Sequence, residues 1–318
     1  MQQNVTGLHH VTAMSSHPQR NVDFYHGVLG LRLVKVSVNQ DDPDTYHLFY
    51  GDGKGTPGSA ITFFPWMNMR PGYVGARQVG VTAFSVPKTS IPFWKTRLEE
   101  AGLHPQQEER FGDPVLLFSD PDSLLLEIVG TTNDPRPAWA ESHVPQEHGI
   151  HGFHRVDLWE KEVGPTREFL TNVFKATQAE QDGDRTRFVF GDGLPGQVVD
   201  VIELPGRPSG HMGVGTVHHV AFRTPTPENE IATREAVVAS GLQPTEVIDR
   251  FWFKSVYFRE PGGVLFELAT DTPGFDVDEH AEKLGEKLIL PPWLEARRSL
   301  LEKSLVHFEL PNGVSFPV

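Results

Sequence analysis

Four stretches of the chain repeat one order of patterns: a short apolar run, an amphipathic segment of helical period, and then runs that alternate or are wholly apolar. They begin near Leu8, Val79, Gly152 and Val217. In the first, "LHHVTAMSS" reads as a strand, "PQRNVDFYHGVLGL" as a helix, and "RLVKVSVN", "YHLFYGD" and "SAITFFPW" as strands. The helix carries Val22, Phe24, Tyr25, Val28 and Leu29 near i, i+3, i+4, i+7 spacing and is expected to stop at Gly30, as helix C-termini often do.

The second stretch runs "VGVTAFSVP", "SIPFWKTRLEEAGL" and "PVLLFSDPDSLLLEIVG", where Asp-Pro-Asp-Ser supplies turn chemistry between two strands. The third has "FHRVDLWE", "VGPTREFLTNVF", "RTRFVFGD" and "QVVDVIEL"; the fourth has "VHHVAFRTP", "ENEIATREAVVASGL" and "VYFREPGGVLFELAT". A βαβββ module is the economical reading of each. The expected fold is therefore α+β, with four such modules in two tandem domains that form open, cupped mixed β-sheets. Residues 1–132 make the N-terminal domain, the Pro-rich polar stretch 133–150 a linker, and 151–318 the C-terminal domain. After Thr270, "EHAEKLGEKLILPPWLEARRSLLEKSL" reads as outer helices split at Pro291-Pro292, and the last eight residues as an extended tail.

The chain has 318 residues, 38% hydrophobic and 22% charged, enough to bury a sizeable core. Its net charge of -14 and lack of a dense Lys/Arg block disfavour nucleic acid and membrane surfaces as partners. There is no cysteine, so disulfides, thiolate-held zinc and iron–sulfur clusters are excluded, and a bound metal must use His, carboxylate, backbone oxygen or Tyr. The N-terminus "MQQNVTGLHH" lacks a basic segment followed by an apolar run, which reads as a cytoplasmic protein.

Overlaying the modules aligns His10, Gly80, His154 and His219 on the first strands, and Phe64 (roughly), Glu127, Asp200 and Glu267 on the last. Two histidines and one carboxylate on one face are a common ligand set for divalent iron or manganese in oxygen-activating enzymes, because they leave adjacent positions open. His10, His219 and Glu267 supply that set if modules one and four face each other. Periodicity leaves two other sets open: His154 with His219 and Glu267, or Glu127 with His154 and Asp200. Strand alternation sends His9 and His10 to opposite faces, so His9 reaches the same site only through a bulge or at its rim.

The motifs "GLHHVTA" (7–13), "YHLFYGDGKGTPGSAITFFPW" (46–66), "VPQEHGIHGFH" (144–154), "VHHVAF" (217–222) and "RFWFKSVYFREPGGVLFE" (250–267) resemble the vicinal oxygen chelate superfamily of glyoxalases, resistance proteins and extradiol dioxygenases. The narrower likeness, over nearly the whole chain, is to hydroquinone ring-cleaving dioxygenases. It implies metal ligation by His10, His219 and Glu267, and catalytic roles for His9, Thr12, Arg250 and Tyr257. The implied ion is Fe(II), with Mn(II) as the alternative; the partners are a small aromatic diol and O2, with homo-oligomerisation left open.

Arg250 is then expected to stabilise developing negative charge, unless it merely pairs with Asp249 or Glu246. Tyr257 or His9 is expected to move a proton or hold the bound oxygen, and Thr12 to serve either the site or strand packing. Phe64, Trp66, Phe251 and Trp252 are the expected pocket walls, and His47 reads as structural. Two other functions stay open: a glyoxalase-like metal-dependent lyase or isomerase, which would want more carboxylate ligation, and a metal-free sequestering protein, which would tolerate loss of His10 and Glu267.

Overall fold

The structure, a computed structural model, describes residues 4–317; Met1 to Gln3 and Val318 lie outside them. Each repeated stretch folds as a strand, a helix and three strands. Module one comprises β1 (Leu8–Ser15), α1 (Pro18–Val22), β2 (Arg32–Asn39), β3 (Asp42–Gly51) and β4 (Ala60–Pro65). Module two comprises β5 (Gln78–Pro87), α2 (Ile91–Glu100), β6 (Gln106–Arg110), β7 (Asp113–Ser119) and β8 (Leu125–Thr131). Module three has β9 (Gly152–Glu160), α3 (Val163–Asn172), β10 (Thr177–Asp182), β11 (Arg185–Val189) and β12 (Val198–Glu203). Module four has β13 (Val217–Arg223), α4 (Pro227–Ala239), β14 (Ile248–Asp249), β15 (Lys254–Arg259) and β16 (Leu265–Ala269). The fold is α+β.

The modules combine across the chain. One eight-stranded sheet has the order β14-β15-β16-β13-β1-β4-β3-β2, and the other β10-β11-β12-β9-β5-β8-β7-β6. Module one thus joins module four through an antiparallel β1–β13 seam, while modules two and three join through β5–β9. Within each module the first and last strands run parallel, as in β1–β4 and β13–β16. Both seams lie at the centre of their sheets, where the strands are buried although polar residues such as His10, Thr12 and Thr82 stand among the apolar ones.

The helices pack apolar stripes on the outer faces: Ile91, Trp94 and Leu98 of α2 are buried, as are Phe169 and Leu170 of α3. The first helix keeps α geometry only to Val22 and continues as a π-helical turn over Asp23–Val28, ending at Gly30, which adopts φ 69°.

The C-terminal region departs from the helical expectation. Between 279 and 305 only Arg298–Ser304 (α5) is an α-helix, with single 3-10 turns at Ala281–Lys283 and Glu295–Arg297. Gly285 takes φ 80°, and a Cβ there would stand 1.8 Å from the Leu33 carbonyl oxygen, so the chain passes too close to β2 for helix. Residues 288–289 instead run along that edge strand: Leu288 bridges Val36, and the Ile289 amide donates to the Val36 carbonyl. An edge otherwise open to stray pairing is covered. The expected extended tail is a hairpin instead, β17 (Phe308–Glu309) with β18 (Ser315–Phe316), because Phe316 is buried and stacks on Phe308. No helix among the described residues is long and apolar enough to cross a membrane.

Candidate metal centre

The β1–β13 seam builds the site by a matched pair of bulges. His10 pairs with Ala221 and Thr12 with His219, but the register slips between Leu8 and His10 on one strand, and between His219 and Val217 on the other. His9 and His218 are the extra residues. Each bulge turns the first histidine of its pair beside the second instead of to the opposite face: the Nδ1 atoms are 2.9 Å apart in His9–His10 and 2.7 Å apart in His218–His219. The bulge route for His9 is the one taken.

Glu267 joins through β16, where it sits opposite Ala221. Ala221 is thus flanked by His10 and Glu267, and its small side chain leaves the space above it open. His10, His219 and Glu267 are buried and offer ligand atoms within 4.8 Å of one another. Their separations are 2.8 Å (His219 Nε2 to Glu267 Oε2), 3.3 Å (His10 Nε2 to Glu267 Oε2) and 3.4 Å (between the two Nε2 atoms). Three ligands on one octahedral face, each about 2.1 Å from a divalent ion, stand about 3.0 Å apart.

The hydrogen bonds around the triad also fit a cation. Thr270 O can only accept, so His9 donates to it through Nε2 (3.1 Å), and its Nδ1 is left as the acceptor for His10 Nδ1–H. His10 Nε2 then carries a lone pair. It faces Glu267 Oε2, a buried carboxylate oxygen with no hydrogen bond of good geometry among the described residues. Glu267 Oε1 accepts from the Ser255 hydroxyl at 2.5 Å, fixing the carboxylate. Burial alone would raise the pKa of Glu267; positive charge placed between its carboxylate and the two imidazoles, as a bound cation would supply, favours the ionised form. Burial, with help from neighbouring histidines, lowers His9 and His218 to about 3, so these two rings are neutral at ordinary pH, and it lowers His219 as well. The residues present fit a divalent metal.

The triad opens on a cavity of about 490 Å³. Phe64, Trp66 and Trp252 line it as expected, together with Phe49 and Phe253. Phe251 turns away: at φ 75° its ring sits edge-on to Trp293, 6.2 Å between centroids. Arg250 and Tyr257 both reach the cavity, with the guanidinium 5.4 Å from the Tyr257 ring centroid. Arg250 pairs with neither Asp249 nor Glu246. Its partner is Asp41 on the β2–β3 turn (2.9 and 3.2 Å), while Glu246 binds Arg234 and Asp249 receives the Phe251 amide. Burial alone would lower the pKa of Arg250; Tyr257 and Asp41 outweigh it and raise it. Tyr257 is raised by burial and then by Glu267, so it stays a phenol.

Thr12 is fully buried and shares a hydrogen bond with Thr62 (2.8 Å), which in turn meets His47 Nε2 (2.8 Å). His47 lines the cavity, where burial and the two triad histidines push its pKa well down. Sequence reasoning missed two residues here. His218 was visible in principle, since "HHV" occurs in both modules. Asp41 lies 209 positions from Arg250 and left no local signal.

The second sheet shows why the competing ligand sets fail. Its β5–β9 seam puts Arg155 opposite Ala83, and β8 puts Glu127 opposite the same alanine. Arg155 therefore holds the register of His10, and Glu127 that of Glu267. The fully buried guanidinium binds Glu127, Asp157 (2.9 Å) and Asp200 (3.1 Å), so a side-chain cation stands where the first sheet gathers a triad. Asp200 is further paired with Arg185 and Arg187. His154 is in this sheet as well, remote from His219 and Glu267, with its nearest carboxylate, Asp113, 4.0 Å away.

Comparison with known proteins agrees with this architecture. The chain is 43% identical over 311 residues to "Putative ring-cleaving dioxygenase MhqO" of Bacillus subtilis, covering 98% of this chain and 99% of that protein. It is 34% identical to "Chlorohydroquinone/hydroquinone 1,2-dioxygenase" of Sphingobium indicum, covering 95% and 97%. A crystal structure of a "putative dioxygenase from Bacillus subtilis" superimposes with TM-score 0.93 at 42% identity, covering 97% of this chain and 99% of that one. The family model of the glyoxalase/bleomycin resistance protein/dioxygenase superfamily matches residues 7–128 and 152–268. With both halves matched and near-complete alignment to these relatives, the chain belongs to that superfamily.

Proposed function

We propose that the protein is a metal-dependent, extradiol-type ring-cleaving dioxygenase that opens hydroquinone-type aromatic diols with O2, using Fe(II) held by His10, His219 and Glu267. The observation that carries this reading over a glyoxalase-like lyase is Thr62. The two modules place His10 and His219 in equivalent positions, so Ala221, two residues after His219, corresponds to Thr12, and its neighbour Glu267 corresponds to Thr62, which pairs with Thr12. A hydroxyl stands where a second carboxylate would make the ligand set symmetric. One carboxylate leaves adjacent positions open toward an aromatic-walled cavity, as binding of both a diol and O2 requires.

A divalent iron ion bound there supplies Lewis acidity toward a diol hydroxyl and a path for ring electrons to O2. The residues of the chain do the rest. Phe49, Phe64, Trp66 and Trp252 clamp the ring and exclude water. Arg250, its charge held by Asp41, faces the negative charge that develops on oxygen. Tyr257, kept as a phenol, donates a hydrogen bond or proton to an oxygen of the substrate. In the tautomer that leaves His219 Nε2 free as a ligand, His218 Nδ1 accepts from His219, and the His218 ring, which lines the cavity, keeps its Nε2–H as a second donor. His9 and Thr12 act behind these, orienting His10 and the Thr62–His47 pair. The relative named for hydroquinone and chlorohydroquinone supports the substrate class.

The test is anaerobic loading with Fe(II), then oxygen-electrode recording with methylhydroquinone and with catechol, alongside Glu267→Ala. Uptake with the hydroquinone that is lost in the variant supports the proposal. No uptake with either diol from a chain that has bound iron overturns it in favour of a lyase.

A further inference from the structure

A second cavity, of about 310 Å³, lies behind the metal centre and shares His218, His219 and Leu265 with the first as a common wall. The chain carries 42 acidic residues against 28 Lys and Arg, yet no carboxylate lines this cavity, whereas Asp41 and Asp42 line the first. Arg77 and Arg259 do line it. Arg259 donates to the Gly263 carbonyl (2.9 Å), and neither guanidinium has an ion-pair partner among the described residues. Both are exposed.

The fold holds them in place. Arg77 adopts φ 69°, a left-handed conformation that a non-glycine residue keeps only when its surroundings enforce it, and its amide donates to the Trp159 carbonyl. Its stem lies over Gly263, itself at φ 109°, where an added Cβ would come within 3.2 Å of Arg77 Cδ. Beside them is Gln78, only 7% exposed: its Oε1 accepts from the Gly75 amide and its Nε2 is left without a partner among the described residues. The lining is rich in donors and has no carboxylate of its own; Glu160 and Glu260, near Arg77, lie outside it.

We infer that this cavity is an anion subsite for an organic carboxylate, with Arg77 and Arg259 as its charged contacts. Guanidinium groups match carboxylates in charge and in fork geometry. The natural occupant rests on the function proposed above: ring cleavage turns a neutral diol into an unsaturated acid, so the carboxylate appears on the other side of the His218–His219 wall. The subsite would then hold the ring-opened product as it leaves, and discriminate against the neutral substrate.

The test uses cis,cis-muconate, a six-carbon dicarboxylate, titrated calorimetrically at low ionic strength into the full-length protein with and without Fe(II). Saturable binding is expected, weakened about tenfold or more in Arg77→Gln/Arg259→Gln, roughly the value of one charge-assisted hydrogen bond, and unchanged in Arg250→Gln. Muconate should also inhibit hydroquinone-dependent O2 uptake in a mixed rather than a competitive pattern. Absence of binding, equal binding by the double variant, or loss in Arg250→Gln overturns the inference. The two readings fail separately. Muconate binding that depends on Arg77 and Arg259 in a protein consuming no O2 removes only the ring-cleavage reading, and O2 uptake with muconate binding indifferent to the pair removes only the subsite.

Discussion

His9 and His10 meet Nδ1 to Nδ1 at 2.9 Å, and the far nitrogen of His9 is committed to the Thr270 carbonyl. The backbone of one strand end thus sets the tautomer of His10, a proposed metal ligand on another strand. His9→Phe removes that relay and leaves the three ligands in place. Metal affinity should fall about 10–100-fold, as for other partners that orient a ligand, with the circular dichroism spectrum unchanged. Competition with a chromophoric chelator measures it.

Asp41 holds Arg250 across the cavity mouth, but its own side chain is 73% exposed. An exposed pair contributes less than about 1 kcal/mol. Asp41→Asn should therefore lower kcat/KM for hydroquinone by only a few-fold, whereas Arg250→Met, which deletes the charge facing the substrate, should cost far more. Equal effects of the two would show that Arg250 acts through the turn and not on the substrate.

Arg155 is the buried counter-ion of Glu127, Asp157 and Asp200. Arg155→Met removes the one cation shared by three buried carboxylates, leaves Glu127 with only the longer Arg110 contact, and should destabilise the protein by about 3–5 kcal/mol in denaturant unfolding. The triad lies in the other sheet, so the fraction that remains folded should still bind metal.

Glu160, on β9, meets Glu260 at the β15–β16 turn, with Arg77 nearby. Burial first, and the Glu260 charge second, push its pKa up to about 9 from 4.5. Between those values the folded state keeps a proton that the unfolded state has lost. Stability from this group is therefore full below pH 4.5 and falls as pH rises toward 9. Glu160→Gln, which keeps a donor in place, should flatten the decline of Tm between pH 6 and 9.

The modules and their strand order were legible because apolar periodicity is local, and the doubled "HHV" and inward Glu267 marked the triad. Module pairing was not legible. Nothing near His10 states that β1 will lie against β13 rather than β5, the choice that separates the His10 set from the set joining His154 to His219 and Glu267; the Glu127 set fails although its modules do pair, because Arg155 fills the place between its carboxylates. The overlay also aligned His154 with His10, while the sheet places Arg155 there: a one-residue error that alternation turns into a change of face. It likewise matched Phe64 with Glu267 where the register gives Thr62. The covered edge of β2 was hidden for a different reason, since residues 279–290 have helical composition and contacts with β2, from Arg32 and Lys35 to Val36, hold them out of an α-helix.

The seam that carries the triad joins strands 209 residues apart in sequence, so the ligands do not converge until the first and last modules have met. An ion held there would clasp the first module to the last. A ligand that binds only the closed form stabilises it in proportion to occupancy. That stabilisation falls on β1 and β13; the β5–β9 seam has its cation built in. Stripping the metal should therefore speed amide exchange at the first seam and leave the second as protected as before, a molecule whose two like halves differ in whether their closure can be undone.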